Sequence, residues 1–423
     1  MTEQAETRGD WTRGGSVIAV AMAIMNVTTY GYTILAARLL GPGSYGAFAA
    51  VMGLLLVLGV LQLGLQTTGA RRIAAHPESV GEVERALLRV AVGTAAVLAV
   101  LCLVLSPVID RLLNLDSVPT AVLVALTVLP MTLMGAQAGI LQGERRWRAL
   151  AALYLAAGVS RLAVGGALLA WRPTETVAVL AVLLAFFAPV AVGWWALRRS
   201  LPHRRCHATG HHDERSILRE TFRNSHALLA FFALSNADVI VARDVLGDHQ
   251  SGLYAGGLIL VKAVLFLPQF VVIVAFPSMS DQQDRWSALV RSVGLVLALG
   301  VVSTLGAWVL SGLALVFVGG PEYAEIRGQL WLFAILGTVL SVVQLLVYSV
   351  VARQSRWSVY LIWAGLLALL VATRGVDDAT SLAVVVTVVD AVVLVALLAA
   401  SLHRIRPGAT APADASRADA TAG

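Results

Sequence analysis

From Leu39 to Ala70 the chain carries a single ionisable side chain, that of Tyr45. Crossing the hydrocarbon core of a bilayer takes about 20 apolar residues, and inside that core each backbone N–H and C=O has to be satisfied within the protein. A run this apolar meets both demands as a helix. Comparable runs recur along the whole sequence, at roughly 14–37, 45–70, 86–109, 118–142, 149–171, 174–197, 223–245, 252–276, 288–317, 329–351, 358–373 and 380–402. With 58% hydrophobic and 13% charged residues and a mean hydropathy of +0.80, a soluble globular domain is excluded. The expected fold class is an all-α polytopic membrane protein of about 12 transmembrane helices. The polar start, Met1–Arg13, runs into a segment long enough to span and so reads as a tail before a first span, not as a cleavable leader.

A second feature organises these spans. Leu40-Gly41-Pro42-Gly43-Ser44-Tyr45-Gly46-Ala47-Phe48-Ala49 is echoed by Leu246-Gly247-Asp248-His249-Gln250-Ser251-Gly252-Leu253-Tyr254-Ala255. Gly41/Gly247, Gly46/Gly252 and Ala49/Ala255 share one offset of 206 residues. Arg146-Trp147 and Arg356-Trp357 form another echo, at an offset of 210. The chain therefore reads as two pseudo-symmetric six-helix bundles, 14–197 and 223–402, with a hydrophilic linker at 198–222 and tails at 1–13 and 403–423. An even number of spans per half gives both halves the same orientation, so they form parallel repeats about an axis along the membrane normal. The Leu-Gly…Gly motifs themselves read as hairpin glycines, which tolerate positive φ and close helix approach.

Basic residues set the orientation. Arg38, Arg111, Arg172, Arg243, Arg327 and Arg374 fall on one set of loops, Arg161 and Lys262 fall inside spans, and the rest of the 31 basic residues fall on the opposite loops and tails. Cytoplasmic loops retain Lys and Arg, which places both termini in the cytoplasm. Trp147, Trp194, Trp195, Trp286 and Trp357 stand beside inner arginines, as an interfacial aromatic belt requires. The net charge of +6 is spread along the inner loops and not gathered in one basic domain. Anionic lipid headgroups account for it better than nucleic acid does. Two cysteines, Cys102 in a span and Cys206 in a polar loop, imply no disulfide framework. His203, Cys206, His207, His211 and His212 cluster in the linker, but this short basic segment reads as solvated chain and not as a metal site. The tail from Pro407 to Gly423 is expected to be disordered.

The run Ala37-Arg38-Leu39-Leu40-Gly41-Pro42-Gly43-Ser44-Tyr45-Gly46-Ala47-Phe48, followed by Gln62-Leu63-Gly64-Leu65 and Arg71-Arg72-Ile73-Ala74, resembles the start of polysaccharide exporters of the Wzx/RfbX type. These belong to the multidrug/oligosaccharidyl-lipid/polysaccharide flippase superfamily. The run from Asn236-Ala237-Asp238-Val239-Ile240-Val241-Ala242-Arg243 through Gly252-Leu253-Tyr254-Ala255 to Phe276-Pro277 is similar to the same family's seventh and eighth helices. The resemblance implies a V-shaped pair of bundles around a cavity that opens alternately to either side. It implies a membrane transporter of the bacterial cytoplasmic membrane that moves an undecaprenyl pyrophosphate-linked glycan, with glycan polymerases and glycosyltransferases as partners. Some lipid flippases of the superfamily carry two further helices that this chain lacks, which weighs against a peptidoglycan-precursor role.

Candidate site residues follow from polarity at depth. Lys262 lies mid-span, where a charge costs at least about 2.5 kcal/mol on insertion scales and normally faces a bundle interior or an aqueous cavity. Gln269 shares its helical face and Pro268 lies beside it. Arg161 occupies a similar depth in the fifth span, and its planar fork suits phosphate oxygens. Arg38 and Arg243 end the first and seventh spans at the outer face, as headgroup contacts or as interfacial anchors. Asn26, Thr29, Tyr30 and Thr33 make a polar stripe on span 1, and Gln62 and Gln66 share a face of span 2. These suit sugar hydroxyls or, equally, interhelical hydrogen bonds. Asp238 and Asp390 are intramembrane carboxylates fit either for proton or sodium coupling or for structural pairing, Asp238 with Lys262 or Arg243. No catalytic constellation, metal site or cofactor is expected. The competing readings are a cation-coupled multidrug efflux antiporter, an integral-membrane glycan-assembly enzyme, which the short outer loops disfavour, and a non-transporting scaffold.

Overall fold

The computed structural model describes residues 2–115, 117–198, 214–265, 285–353 and 356–405. Among the described residues there are 14 helices and no strand. Gly15–Ala75 is one apolar stretch of 61 residues, which as a straight helix would run for about 90 Å, three times the thickness of a bilayer core. The chain resolves this by reversing at Gly41, whose φ of 68° and ψ of 172° lie outside helical space and which is followed by Pro42. Tyr32 and Phe48 consequently meet edge-to-face with ring centroids 5.9 Å apart, where a straight helix would hold them about 24 Å apart. Helix α1 (Thr2–Leu58) thus makes the first pass and starts the second, and α2 (Val60–Ala75) completes it beyond the bend at Gly59.

Then follow α3 (Val80–Val104), α4 (Ser106–Leu113), α5 (Val118–Gly143), α6 (Trp147–Trp171) and α7 (Glu175–Arg198). The second half holds α8 (Glu214–Val245), α9 (Asp248–Leu265), α10 (Arg285–Val309), α11 (Ser311–Val318), α12 (Leu330–Arg353), α13 (Arg356–Ala372) and α14 (Ala379–Ile405). Each expected span has a helical counterpart among the described residues, that of span 8 as far as Leu265, and spans 3 and 9 are each finished by a separate eight-residue helix, α4 and α11. Helix α8 begins at Glu214 and so occupies the end of the segment expected as a linker; Ile217, Glu220 and Thr221 are buried. The linker cysteine and histidines from His203 to His212, Gln269 with Pro268, and the tail from Pro407 lie outside the described residues.

Within the first half α1 packs on α6, α6 on α7, and α5 on α2, α3 and α7; within the second, α12 packs on α9, α10 and α14. Small residues set the closest of these contacts, as expected where lipid tails remove the hydrophobic drive between helices. Gly135, Gly139 and Gly143 repeat every four residues along α5 and face Gln62, Gln66 and Ile73 of α2. Leu101, Val104, Trp308 and Val309 are among the large apolar side chains exposed on the outside, where lipid would cover them.

The halves meet where α1 packs on α8 and α9, and α2 on α8, and the contacts obey a two-fold rule. Tyr30 of the first half donates to the Ile259 carbonyl, 3.1 Å. A shift of 206 residues carries Tyr30 to Asn236 and Gly53 to Ile259, and a Cβ on Gly53 would stand 3.5 Å from the Asn236 carbonyl. The equivalent positions are thus neighbours on both sides of the seam, as in an isologous contact. The hydrogen bond of Tyr30 is not repeated by Asn236, whose side chain donates to the Phe232 carbonyl of its own helix. The turns at Gly41, Asn114, Gly247, Gly320 and Asp378 gather at one end, the glycine-turn end, joined by His249–Glu325 at 2.9 Å and by the Ala379 amide donating to Gln250 at 3.2 Å. The starts of α3 and α8 gather at the opposite, linker end.

Candidate functional site

Two intramembrane carboxylates come together in the second half. Asp238 on α8 is 2% exposed and Asp390 on α14 is 1% exposed. The hairpin of α8 and α9 brings Tyr254 against Asp238, and its hydroxyl donates to Oδ2 at 2.8 Å. Asp238 Oδ1 accepts from the neighbouring Val239 amide at 2.8 Å. Asp390 lies within electrostatic range of Asp238 and of Tyr254, while its Oδ1 has no hydrogen-bond partner among the described residues. Lys262, half-buried on α9, acts on Asp238 as an opposite charge without forming an ion pair among the described residues. Two carboxylates, one incompletely satisfied, with a phenol donating to the other, can hold a small cation or a proton, an affinity that the positive charge of Lys262 opposes. Tyr254 is the member that sequence reasoning missed; its spacing from Asp238 spans a helix reversal and matches no helical period.

In the first half, Arg161 of α6 lies over the Phe186 ring of α7, with the guanidinium carbon 4.9 Å from the centroid. Its Nε is buried without a hydrogen-bond partner, and among the described residues no carboxylate pairs with it. A cation–π contact is worth about 2 kcal/mol when desolvated, which offsets only part of the cost of holding a charge at this depth. Of the polar stripe on α1, Asn26, Thr29, Tyr30 and Thr33 are all half-buried; Tyr30 is spent on the seam and Thr33 on the Thr29 carbonyl, 3.1 Å. Gln66 donates to Gln142 at 2.9 Å and to the Tyr154 hydroxyl at 2.8 Å, while Gln62 lies against Gly135. Gln66 thus serves interhelical bonding in this state.

Arg38 and Arg243 stand at the glycine-turn end, as the sequence places them, and both are engaged. Arg38 is exposed and donates through Nη2 to the Val316 carbonyl at 2.5 Å. Arg243, 3% exposed, donates to the carbonyls of Leu113 at 3.0 Å and Asn114 at 2.5 Å. It also donates to Ser251 at 3.1 Å and pairs with Asp248 at 2.9 Å.

At the linker end a second set of cross-half contacts appears that sequence reasoning did not find. Glu220 of α8 accepts from both Arg71 and Arg72 of α2, Arg72 also donates to Ser216 at 2.8 Å, and Arg89 of α3 pairs with Glu214 at 2.5 Å. The partners are far apart in sequence, so no spacing signals them. Nearby, burial pushes the Glu144 carboxyl up while Arg146, beside it, pulls it down. Trp194 and Trp195 are exposed on α7, and Arg198 lies over the Trp194 ring at 4.9 Å.

Charged groups at mid-depth in both halves, on helices that form or flank a two-fold seam, describe a transporter-like arrangement, and residues 11–283 match a single protein family. The chain belongs to the polysaccharide biosynthesis protein family. No curated protein matches the sequence. Among solved structures, this family member is similar to a multidrug resistance MATE family transporter of the MOP superfamily in an inward-facing conformation, with 13% identity over 92% of this chain and 100% of that one and a TM-score of 0.66. It is also similar to the lipid II flippase MurJ in an inward closed conformation, with 12% identity over 91% of this chain and 87% of that one and a TM-score of 0.70. A eukaryotic MATE transporter gives 14% identity over 94% and 96% of the two chains and a TM-score of 0.60. At these identities the likeness establishes the fold of two bundles.

Proposed function

We propose that this chain flips a lipid-linked, anionic oligosaccharide or polysaccharide intermediate across the bacterial cytoplasmic membrane by alternating access, and that it is not an enzyme. The observation that carries the reading is Arg161, a guanidinium at mid-depth with no carboxylate partner among the described residues, in a member of a polysaccharide biosynthesis family. The similarity to a lipid II flippase supports it. The distribution of basic residues supports cytoplasmic termini, which makes the glycine-turn end the outer one. The two bundles, 14–197 and 223–402, rock about the seam. The headgroup, undecaprenyl pyrophosphate-linked in this reading, enters at the linker end and meets Arg161 and Lys262, with Gln269, Asn26, Gln62 and Gln66 serving its sugars. Asp238 and Asp390 take up the coupling proton or sodium ion. Glycosyltransferases supply the substrate and a polymerase consumes it.

Depletion of the protein tests this. Lipid-linked intermediates are expected to build up on the inner leaflet while glycan export falls; export that continues unchanged contradicts the proposal. A second reading, cation-coupled efflux of amphipathic drugs, is favoured by one observation, the buried acidic pair Asp238 and Asp390 in a fold shared with multidrug transporters. Raised drug tolerance in an overexpressing strain, with export intact after depletion, would select it.

A further inference from the structure

The two arginines at the glycine-turn end are related to each other. Arg38 and Arg243 are separated by an offset of 205 residues, and the same offset relates Ser106 and Ser311, the first residues of α4 and α11. Each arginine comes from the first span of its own half and reaches the end of the short helix that finishes the third span of the other half. Arg38 takes the Val316 carbonyl near the end of α11, and Arg243 takes the Leu113 and Asn114 carbonyls at the end of α4. The last carbonyls of a helix lack intrahelical partners and carry the negative end of its dipole, so a guanidinium fork is well matched to them. Asn114, left-handed at φ 43°, turns back to donate its side-chain amide to the Arg243 carbonyl at 2.7 Å, closing a two-way link between the halves.

We propose that Arg38 and Arg243 are a pseudo-symmetric pair of latches that hold the glycine-turn end shut and must release for that end to open. The pair is unequal. Arg243 is buried and bridges two carbonyls, whereas Arg38 is exposed and holds one, so Arg243 is the dominant latch. Its other contacts tie it to the candidate coupling site: Arg243 and Asp238 share α8, and their partners Ser251 and Tyr254 share the first turns of α9. A cation or proton arriving at Asp238 would compete with the Tyr254 hydroxyl for the Asp238 carboxylate and so act on the same two helices that set the latch. The proposal rests on the alternating-access reading for its purpose but not for its test.

The test is a pair of spin labels at Arg172→Cys and Asp377→Cys, exposed positions at this end with one in each half, in the full chain freed of Cys102 and Cys206. Pulsed dipolar distances are read in lipid nanodiscs, with a control pair at Val104→Cys and Arg172→Cys, both exposed and inside the first half, away from the end of α4 that Arg243 holds. Arg243→Gln is expected to raise the ratio of long to short distances roughly ten-fold or more, on the scale of a lost charged hydrogen bond. Arg38→Gln is expected to raise it less, the double substitution most, and Arg243→Lys to fall between Arg243→Gln and the parent. An unchanged distribution in the double variant overturns the latch, as does a broadened control pair, which would make Arg243 a residue that holds the fold. Opening without any effect on glycan export leaves the latch standing and counts against the flippase reading.

Discussion

Gly46 and Gly252 face each other across the seam with no room for a side chain between them. A Cβ on Gly46 would stand 3.0 Å from the Gly252 amide nitrogen, and one on Gly252 would collide with the Pro42 carbonyl. The repeat that marks the two halves in sequence is thus also the point where they touch. Gly252→Val is expected to wedge the glycine-turn end apart at an overpacking cost of about 1–3 kcal/mol, lowering its closed population roughly ten-fold or more and reducing export. Gly247→Ala, where the added carbon meets nothing within 4 Å, is expected to leave both unchanged. Inter-half dipolar distances check the pair, and equal behaviour of the two variants would contradict the seam as described.

Glu220 is the hub of the linker-end contacts, with its side chain 10% exposed between Arg71 and Arg72. Glu220→Gln leaves Arg72 without its carboxylate, and a loss of roughly 1.5–3 kcal/mol in that closure is expected for a hydrogen bond to a charged group. Thiol labelling of single cysteines at this end should speed up by about ten-fold. Exchanging the charges, Arg72→Glu with Glu220→Arg, is expected to restore much of the protection; failure to do so would assign the two residues to folding and not to gating.

The spans, their number and the common orientation of the halves were legible because each follows from local composition, from a repeat or from the charge of successive loops. Lys262, Arg161, Asp238 and Asp390 were legible as exceptions to apolar depth. What they touch was not. Tyr254 meets Asp238 only because the chain reverses at Gly247, and Arg243 meets Asn114 only because the two halves dock, so neither pairing leaves a periodicity in the sequence. The same holds for Arg38, whose position at a span end fits an interfacial anchor as well as a contact to Val316 in the other half.

Asp378 opens α14. Its Oδ1 accepts from the amides of Thr380 and Ser381, both at 2.9 Å, and its Oδ2 from the Ser381 hydroxyl at 2.6 Å. These bonds, those from Ser381 foremost, hold its carboxyl below its ordinary value of 3.8. A lowered folded-state value means that the cap stabilises the helix start fully above that ordinary value and loses its contribution as pH falls through the lowered one. Asp378→Ala is expected to cost about 1 kcal/mol at neutral pH, seen as faster amide hydrogen exchange at Thr380 to Leu382. The difference from the parent should vanish under strong acid; a difference that persisted there would show that the carboxylate is not the cap.

Asp238→Asn keeps the shape of the side chain and an acceptor for Tyr254 but removes the charge that would hold a cation or proton. Flipping driven by an imposed sodium or proton gradient is expected to fall to the rate without a gradient, while binding of the glycan lipid stays within about two-fold, below the 1.4 kcal/mol that a ten-fold change represents. A variant still accelerated by the gradient would remove Asp238 from the coupling step.

The most direct test of the account is transbilayer movement of an undecaprenyl pyrophosphate-linked oligosaccharide in vesicles that contain only the purified chain, read by oxidation of the exposed sugar with a membrane-impermeant reagent. The parent protein is expected to expose the inner-leaflet substrate faster than protein-free vesicles, Arg161→Ala to be at least ten-fold slower than the parent, and Arg161→Lys to retain part of the rate because the charge survives without the planar fork. A parent chain no faster than empty vesicles under either ion gradient, or an Arg161→Ala variant as fast as the parent, would contradict it.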